Sequence, residues 1–424
     1  MADRLRSTEE LIDALGGATF DRPPALVANA HITGVSVARA LAAHDVPVIA
    51  LDRSGNGVAP RSDAVRFAGR VTYPLDDPAG FAADVERIAD ALDWEPVAFP
   101  CMDEWVHGFA DTRPAGVRLP FAADAIDRVL DKERLYALAE EYDVPYPETY
   151  RLAETDADEA IEAVGGFPLV IKPARKRKFE EAFGTNVVEA EDRAEFDETV
   201  AAAREADARV LIQETVPVET GRDTSLASYV PPADGASFAD TDAVVSGDAL
   251  GVVGNAAVRF PRGFGTSCLV ETVDRPAVAE RALRILEETD YYGISESEFV
   301  YDADREEYVL LDINTRPWKW ISMPVEAGAN LPYAAYADAV PDARYEPSGV
   351  ADARWVYLPD YLELCATQPA FRDVLSREEW ASLVSGAFEN RRGFTTGVYR
   401  PSDPHPAVDA IQTAFGLGDY YCSC

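Results

Sequence analysis

The sequence predicts an α/β protein in which a parallel sheet comes first and two mixed α and β units follow. Three observations lead to this prediction. Apolar strands and helices alternate through residues 1–118, two buried runs between 165 and 216 end in polar side chains, and two alternating segments near residue 300 have the pattern of a hairpin.

The first unit has the pattern of a parallel sheet with crossover helices. We predict strands over 25–29, 46–52 and 96–100, with a helix over 34–44. The turn 29–34 contains one glycine where a dinucleotide-binding turn has three, so a nicotinamide oxidoreductase is not favoured. We expect this turn either to face a small anionic or zwitterionic ligand or to be structural.

The second unit contains most of the lysines of the chain. A predicted helix capped by Asp124 runs to Tyr142, where two prolines follow within five residues. A buried run then ends at Lys172, and a predicted loop over 174–184 carries a dense cationic run that includes Lys178. A solvated basic loop is one interpretation, and a polyphosphate contact is the other.

The hairpin near residue 300 carries the clearest chemical signal. Alternation over 293–302 and 308–314 predicts two paired strands joined by a polar turn. Glu298 and Asp312 would then lie side by side, with Asn314 close to them. Such oxygens repel one another without a cation, and Mg²⁺ combines one or two carboxylates with phosphate oxygens. The alternative is a solvated acidic hairpin.

Composition limits the classes of function. The 424 residues include 75 acidic and 39 basic ones, and the formal charge of −36 disfavours nucleic-acid binding and indicates life in molar salt. Lysine occurs only five times, which makes each lysine a candidate for function. The five cysteines have no paired spacing, so neither a disulfide framework nor a zinc site is indicated. We see no apolar leader and no run of about 18 apolar residues, and we expect a cytoplasmic protein without a membrane partner.

Taken in chain order, these features resemble the ATP-grasp superfamily, specifically its carboxylate–amine ligase-like members and the predicted ATP-grasp carboligase subgroup. The resemblance covers roughly residues 20–345, and the Asp403-Pro-His-Pro406 motif resembles the end of the carboligase subgroup. The motifs that carry it are Lys132, Lys172 within VIKP, the strand end at 213–216, Arg259, and Glu298 followed by Asp312-Ile-Asn314.

The resemblance implies a fold and a domain order. The fold would be α/β, with an ATP-grasp pair of α+β subdomains holding ATP between them after a Rossmann-like parallel-sheet domain. The implied domains are 1–118, 119–206 with a mobile phosphate lid, 207–345 with the magnesium site, and 346–424 as a helical extension.

The resemblance also implies ligands and residue roles. ATP and Mg²⁺ would be bound, with Mn²⁺ as an alternative metal. The implied ATP-binding residues are Lys132, Lys172, Lys178, Gly184, Gln213, Glu214, Thr215, Val216 and Asp223. The implied metal ligands are Glu298, Asp312 and Asn314, and the implied catalytic residues are Arg316, Arg259 and Arg262.

The implied activity is that of an ATP- and Mg²⁺-dependent ligase. It would activate a small-molecule carboxylate as an acyl phosphate and join it to the amine of an amino acid or another small metabolite. A catalytically silent ATP-binding sensor and a bicarbonate-activating carboxylase stay open as alternatives, although the chain has no AMKM-like biotin site. Monomer and homodimer are both open.

Overall fold

The structure is a computed structural model that describes residues 5–54, 57–152, 156–235, 238, 244–246, 248–261, 265–347 and 349–414. The side chains of residues 177, 178, 181, 244–246, 413 and 414 are outside this description. The helices are α1 (Thr8–Gly16), α2 (Ile32–Ala42), α3 (Pro78–Asp90), α4 (Asp103–Thr112), α5 (Ile126–Leu130), α6 (Lys132–Glu141), α7 (Ala157–Ala163), α8 (Lys176–Phe183), α9 (Arg193–Glu205), α10 (Pro276–Glu288), α11 (Ser322–Ala327), α12 (Leu331–Ala339), α13 (Leu358–Thr367), α14 (Arg377–Ser385) and α15 (His405–Ala414). Short 3₁₀ helices cover Ala59–Arg61, Pro369–Asp373 and Ala387–Asn390.

The strands form three sheets. They are β1 (Ala25–Ala28), β2 (Val48–Asp52), β3 (Phe67–Arg70), β4 (Val97–Pro100), β5 (Thr149–Arg151), β6 (Leu169–Pro173), β7 (Val188–Ala190), β8 (Val210–Glu214), β9 (Val218–Val230), β10 (Val244–Ser246), β11 (Ala249–Phe260), β12 (Thr266–Thr272), β13 (Gly293–Asp302), β14 (Glu307–Asn314), β15 (Arg354–Val356) and β16 (Phe394–Thr396).

The first sheet has the order β3-β2-β1-β4 and is parallel throughout. Its central strand β1 is buried along its whole length, which fits its run of apolar residues. The predicted parallel sheet is therefore confirmed, and β3 is a further strand that the sequence did not predict.

The turn between β1 and α2 is structural. Asn29 and His31 are almost fully buried, and the Ala30 amide donates a hydrogen bond to Asp52 Oδ2 at 3.2 Å. A Cβ at Gly34 would lie 2.5 Å from the Asn29 carbonyl oxygen, so only glycine fits there. Of the two interpretations of this turn, the structure favours the one without a ligand.

The second sheet is antiparallel, has the order β5-β8-β6-β7, and covers one side of a separate small core. The helix predicted over 124–142 is two helices, because the chain breaks at Asp131. The Asp131 side chain accepts a hydrogen bond from the Glu133 amide and so caps α6.

The segment 174–184, predicted as a loop, is mostly the helix α8. Phe179 and Phe183 lie one turn apart and stack with ring centroids 4.2 Å apart, and Phe179 is buried in the small core. Gly184 ends the helix in a left-handed conformation with φ of 69°. The prediction of a loop was wrong because the apolar face of this segment outweighs its cationic run.

The third sheet has eight strands, and seven of them have the order β14-β13-β9-β11-β12-β15-β16, while β10 pairs with β11. The predicted hairpin is confirmed as β13 and β14, with Glu298 opposite Asp312 and Glu296 opposite Asn314. Strands β15 and β16 come from residues 346–424, so this segment is not purely helical as predicted. It extends the large sheet.

The C-terminal segment also contacts the first sheet's domain. Arg39 on α2 donates to Asp403 Oδ2 from Nε at 3.0 Å and from Nη2 at 2.8 Å, and Ser62 donates to the same oxygen at 2.5 Å. Both Arg39 and Asp403 are nearly buried. Among the described residues, no helix is both long and apolar enough to cross a membrane.

Candidate functional site

A cavity of about 420 Å³ lies between the second and third sheets. Strands β6 and β8 supply one wall, and β9, β11, β13 and β14 supply the other, while Phe371 from the C-terminal segment adds an aromatic ring. Ten of the predicted site residues line this cavity: Lys132, Lys172, Gln213, Glu214, Thr215, Val216, Asp223, Arg259, Glu298 and Asp312.

One end of the cavity is formed by the segment 213–216, where β8 leads towards β9. Gln213 Nε2 donates to Thr149 Oγ1 at 2.8 Å, and Glu214 Oε1 accepts from Arg305 Nη2 at 2.6 Å. Thr215 donates to the carbonyl oxygen of Pro168 at 3.0 Å. These bonds fix the polar side chains to the protein on either side of the connection.

Asp223 and Arg259 form an ion pair in the wall of the cavity, with Arg259 Nε 3.0 Å from Asp223 Oδ2. Burial raises the pKa of Asp223, and the Arg259 guanidinium opposes that rise. Arg259 also donates to the carbonyl oxygen of Gly265. These contacts place Arg259 with the predicted ribose acid, and none of them joins it to the predicted metal ligands.

At the other end of the cavity, two lysines hold Asp312. Lys132 Nζ lies 2.7 Å from Asp312 Oδ1, and Lys176 Nζ lies 2.6 Å from Asp312 Oδ2. Burial would raise the pKa of the Asp312 carboxyl, but these two ammonium groups hold it well below its usual range. Asp312 is therefore ionised and buried.

Asn314 links the carboxylates of Glu298 and Glu296 to the group formed by Asp312 and its two lysines. Its Nδ2 donates to Glu298 Oε1 at 2.8 Å and to Glu296 Oε2 at 3.2 Å, while its Oδ1 accepts from Lys176 Nζ at 2.8 Å. Burial, and then the neighbouring Glu298 carboxylate, raises the pKa of Glu296 to about 8. The structure thus brings the three predicted metal ligands together on one face of the hairpin.

These residues fit a hard divalent cation. The Lys176 ammonium contacts Asp312 Oδ2 and Asn314 Oδ1 at once, so the two oxygens already converge on a positive charge. The described residues contain no cluster of three or more His, Cys, Asp or Glu side chains arranged for a metal. Two carboxylates and one amide match Mg²⁺, which takes few protein ligands and completes its shell with phosphate and water.

Lys172 gives the cavity a cation with an altered pKa. Burial, and then the charge of Lys132, lowers the pKa of Lys172 to about 8. Lys132, Lys172 and Lys176 all line the cavity. Three of the five lysines of the chain therefore meet at one end of it.

Arg316 lies in a small cavity of about 30 Å³ next to the metal-ligand cluster, and Lys176 and Asp103 also line it. Arg316 Nε donates to Asp103 Oδ1 at 2.6 Å. Burial would raise the pKa of Asp103, but Arg316 and Lys176 hold it at about 2. The pair fixes the direction of the Arg316 guanidinium.

A cleft of about 420 Å³ continues from this small cavity along α4. Acidic side chains line it on α4, while three cations and one acid, Asp207, line it on the side of the second sheet. The acids on α4 are Asp103, Glu104 and Asp111, and the cations are Arg175, Lys176 and Arg209. Lys176 lines the cleft, the small cavity and the large cavity, so it marks their junction.

Of the predicted residues that the structure describes, Gly184 and Asn314 do not line these cavities. Gly184 ends α8 and is not among the lining residues. The Lys178 side chain and all of Arg262 lie outside the described residues.

Two residues of the cluster, Lys176 and Asp103, were missing from the predicted site. Lysine depletion had already marked Lys176 as a candidate for function. Asp103 follows β4 at the carboxyl end of a parallel strand, which is where ligand-binding residues of such sheets gather. Both signals were present in the sequence.

Comparisons with known proteins show the fold. No family model matches the chain, and no curated protein matches it. An ADP complex of N5-carboxyaminoimidazole synthetase from Staphylococcus aureus matches with a TM-score of 0.59 and 13% identity, over 80% of this chain and 82% of that one. Biotin carboxylase from Campylobacter jejuni, in a β-γ-ATP complex, matches with a TM-score of 0.58 and 14% identity, over 81% of this chain and 75% of that one.

An N5-carboxyaminoimidazole ribonucleotide synthetase bound to ADP gives a TM-score of 0.60 at 15% identity, over 83% of this chain and 86% of that one. At sequence identities this low, the similarity shows a shared fold. It does not identify a substrate. The chain has the ATP-grasp fold, as expected from the resemblance of its sequence motifs to that superfamily.

Proposed function

We propose that this protein is an ATP- and Mg²⁺-dependent ligase that activates a carboxylate as an acyl phosphate and joins it to an amine. The convergence of Lys132, Lys172 and Lys176 on the Asp312 cluster carries this proposal. A carboxylate approaches the γ-phosphate of ATP only if cations reduce the repulsion between the two anions.

The large cavity would hold ATP. Segment 213–216 would receive the adenine, Asp223 the ribose, and Lys132 and Lys172 the phosphates. The cavity's position between two sheets supports this arrangement, and so do the nucleotide complexes of the similar structures. Glu298, Asp312 and Asn314 would hold Mg²⁺, which when bound neutralises charge on the phosphate oxygens.

The carboxylate substrate would lie beside Arg316 and Lys176, at the junction of the cavities. Its oxygen attacks the γ-phosphorus, the bond from that phosphorus to the β,γ-bridging oxygen breaks, and ADP leaves. The amine nitrogen then attacks the acyl carbon, the bond from carbon to the phosphate oxygen breaks, and inorganic phosphate leaves. The nitrogen loses its proton to a base or to water, and an amide remains.

The cleft along α4 supports an amino acid or a similar molecule as the amine substrate. A molecule with both an ammonium and a carboxylate group would match an acidic wall on α4 and a wall with three cations and one acid, Asp207, on the other side. Asp103 lines both this cleft and the small cavity, so its pair with Arg316 lies where the two meet.

Bicarbonate is a second candidate for the activated carboxylate. The similar structures favour it, because they include carboxyaminoimidazole synthetases and biotin carboxylases. One of them, the biotin carboxylase domain of 2-oxoglutarate carboxylase from Hydrogenobacter thermophilus, holds MgADP and bicarbonate. In that case the first product would be carboxyphosphate, and the amine would become a carbamate.

The test is ADP release by the purified protein in molar KCl with Mg·ATP, pooled carboxylates and hydroxylamine. We expect ADP release together with hydroxamate formation, and we expect both to be lost in Lys172→Met. Lys319→Met is the matched control, since Lys319 is also a nearly buried lysine but pairs with Asp360 and Thr266.

The outcomes separate the candidates. ADP release that depends on bicarbonate alone, with incorporation of labelled bicarbonate into an added amine, would select the carboxylase. ATP binding without ADP release in any pool would contradict the ligase proposal and leave a sensor.

A further inference from the structure

Lys176 contacts two of the oxygens that the proposed function gives to a metal. Its Nζ lies 2.6 Å from Asp312 Oδ2 and 2.8 Å from Asn314 Oδ1. Lys132 occupies the other oxygen of Asp312, so the carboxylate is fully engaged by ammonium groups. A divalent cation at these oxygens must compete with the Lys176 ammonium for the same lone pairs.

The position of Lys176 allows its ammonium to withdraw without unfolding. Lys176 is the first residue of α8, and Phe179, one turn further on, anchors this helix in the small core. A lysine ammonium sits on a flexible four-carbon stem, so rotation of the side chain alone moves the charge. No movement of the helix is required.

The direction of withdrawal is set by the cavities. Lys176 lines the large cavity, the small cavity beside Arg316 and the cleft along α4. An ammonium that leaves Asp312 therefore stays at the junction where the proposed nucleotide and substrate sites meet. That junction is where a terminal phosphate would lie, and phosphate is a preferred partner for a lysine.

We propose that Lys176 is an internal cation that holds the Asp312 and Asn314 oxygens until a metal–nucleotide complex displaces it, and that it then binds the nucleotide's terminal phosphate. Lys176 thus opposes binding of free metal and favours binding of nucleotide. This inference rests on the proposed function, because it takes the metal and nucleotide sites from it.

The two roles predict opposite effects of one substitution. In Lys176→Met the competing charge is gone, so free Mn²⁺ should bind at least about tenfold more tightly than to the wild type. Binding of the non-hydrolysable analogue AMP-PNP with Mn²⁺ should weaken at least about tenfold, because the phosphate loses a cation. A merely structural lysine would give weaker binding of both.

The experiment measures free Mn²⁺ by its electron paramagnetic resonance signal, without nucleotide and with AMP-PNP, and AMP-PNP affinity by calorimetry. Lys176→Arg keeps the charge and should bind free Mn²⁺ about as weakly as the wild type. Lys319→Met, the matched control away from the site, should match the wild type in both measurements. Circular dichroism and a second uncharged variant, Lys176→Gln, establish that any effect comes from the lost charge and not from misfolding.

Two results would overturn the inference. In the first, the wild type binds Mn²⁺ together with AMP-PNP, and Asp312→Asn abolishes this binding. Free Mn²⁺ nevertheless binds to Lys176→Met no more tightly than to the wild type. The internal-cation role then fails, while the proposed function stands. In the second, the wild type shows no binding of Mn²⁺ with AMP-PNP that depends on Asp312, and the proposed metal site fails together with the inference.

Discussion

Lys132 and Asp312 form an almost fully buried ion pair between residues 180 positions apart, with Lys132 Nζ 2.7 Å from Asp312 Oδ1. Lys132 begins α6, beside the second sheet, and Asp312 lies on β14 in the third. The pair therefore joins the start of α6 to the third sheet, beside the proposed metal site. Its strength bears on stability as well as on catalysis.

We expect a double-mutant cycle of Lys132→Met and Asp312→Asn to be strongly non-additive. Asp312→Asn leaves the buried Lys132 ammonium without its carboxylate, and Lys132→Met leaves Asp312 with Lys176 as its remaining cation. Loss of one partner of a buried pair typically costs about 3–5 kcal/mol of the free energy of unfolding. The double variant should lose less than the sum, by at least about 1.5 kcal/mol. Urea unfolding of the four proteins measures this difference.

The Arg193–Asp197 pair on α9 serves as the control cycle, because both side chains are about half exposed at a distance of 2.9 Å. It should show a coupling of no more than about 1 kcal/mol. Additive effects in the Lys132 and Asp312 cycle would mean that the buried pair does not stabilise the packing of α6 against β14.

Lys172 predicts a pH dependence of nucleotide binding. Its pKa is lowered to about 8, and only the protonated form attracts phosphate. Nucleotide binding would raise this pKa, so the protein takes up protons on binding and the affinity falls as the pH rises above about 8. Between pH 7.5 and 9.5 we expect a loss of about one order of magnitude in ADP affinity, measured by calorimetry.

The Lys172→Met variant separates this effect from others. Its ADP affinity should be lower than that of the wild type by about 2–4 kcal/mol at pH 7.5 and should be nearly independent of pH over the same range. A wild-type affinity that stays constant to pH 9.5, together with an unchanged affinity in Lys172→Met, would exclude Lys172 as a phosphate contact.

The position of Asp103 leads us to expect that its substitution lowers turnover but leaves nucleotide binding nearly unchanged. It holds Arg316 through a bond of 2.6 Å and lies outside the large cavity. Asp103→Asn should leave ADP affinity within about twofold of the wild type, while misplacing Arg316 should lower kcat about 10- to 100-fold. Asp90→Asn changes an exposed acid at the end of α3 that lines none of these cavities and is the control, since it should preserve kcat. A large loss of ADP affinity in Asp103→Asn would instead point to a general disturbance of the site.

The contacts of Asp403 lead us to expect a stability difference between the wild type and Asp403→Asn that narrows in acid. Burial alone would raise its pKa, but bonds from Ser62 and the charge of Arg39 lower it below its ordinary value. A carboxyl with a lowered pKa stabilises the protein above its unfolded pKa of about 3.9, and this contribution is lost as the pH falls through the folded value.

Asp403→Asn should therefore be less stable than the wild type by about 3 kcal/mol at pH 7, and the gap should narrow below about pH 4. Urea midpoints of both proteins at the two pH values check this. An equal gap at both pH values would show that the effect comes from the changed hydrogen bonds and not from the charge.

Local sequence patterns, each contained in a single segment, were sufficient to predict much of the fold. Alternation on β13 and β14 predicted a hairpin, and the register of Glu298 against Asp312 follows from it. The prediction of a loop at α8 rested on its charges. It did not use the spacing of Phe179 and Phe183, which is typical of a helix, or Gly184, since glycine commonly ends helices.

Contacts between distant segments were beyond such patterns. The pairing of Arg259 with Asp223 depends on the register of β11 against β9, which no local signal specifies. The Lys176 contacts likewise depend on how closely the start of α8 approaches β14. Residue types pointed to the right chemistry, whereas the partners of each residue became visible only in three dimensions.

The pairing of Arg39 with Asp403 has a consequence for the order of folding during synthesis. Arg39 lies on α2, whose residues are nearly all buried, and its partner is 364 positions later in the chain. While the ribosome is still making the central sheets, this face of α2 carries a guanidinium that has no carboxylate to meet, and it must stay open to water. The first sheet's domain therefore cannot reach its final packing as soon as it emerges. It is completed only when residue 403 has been added and returns to cover it.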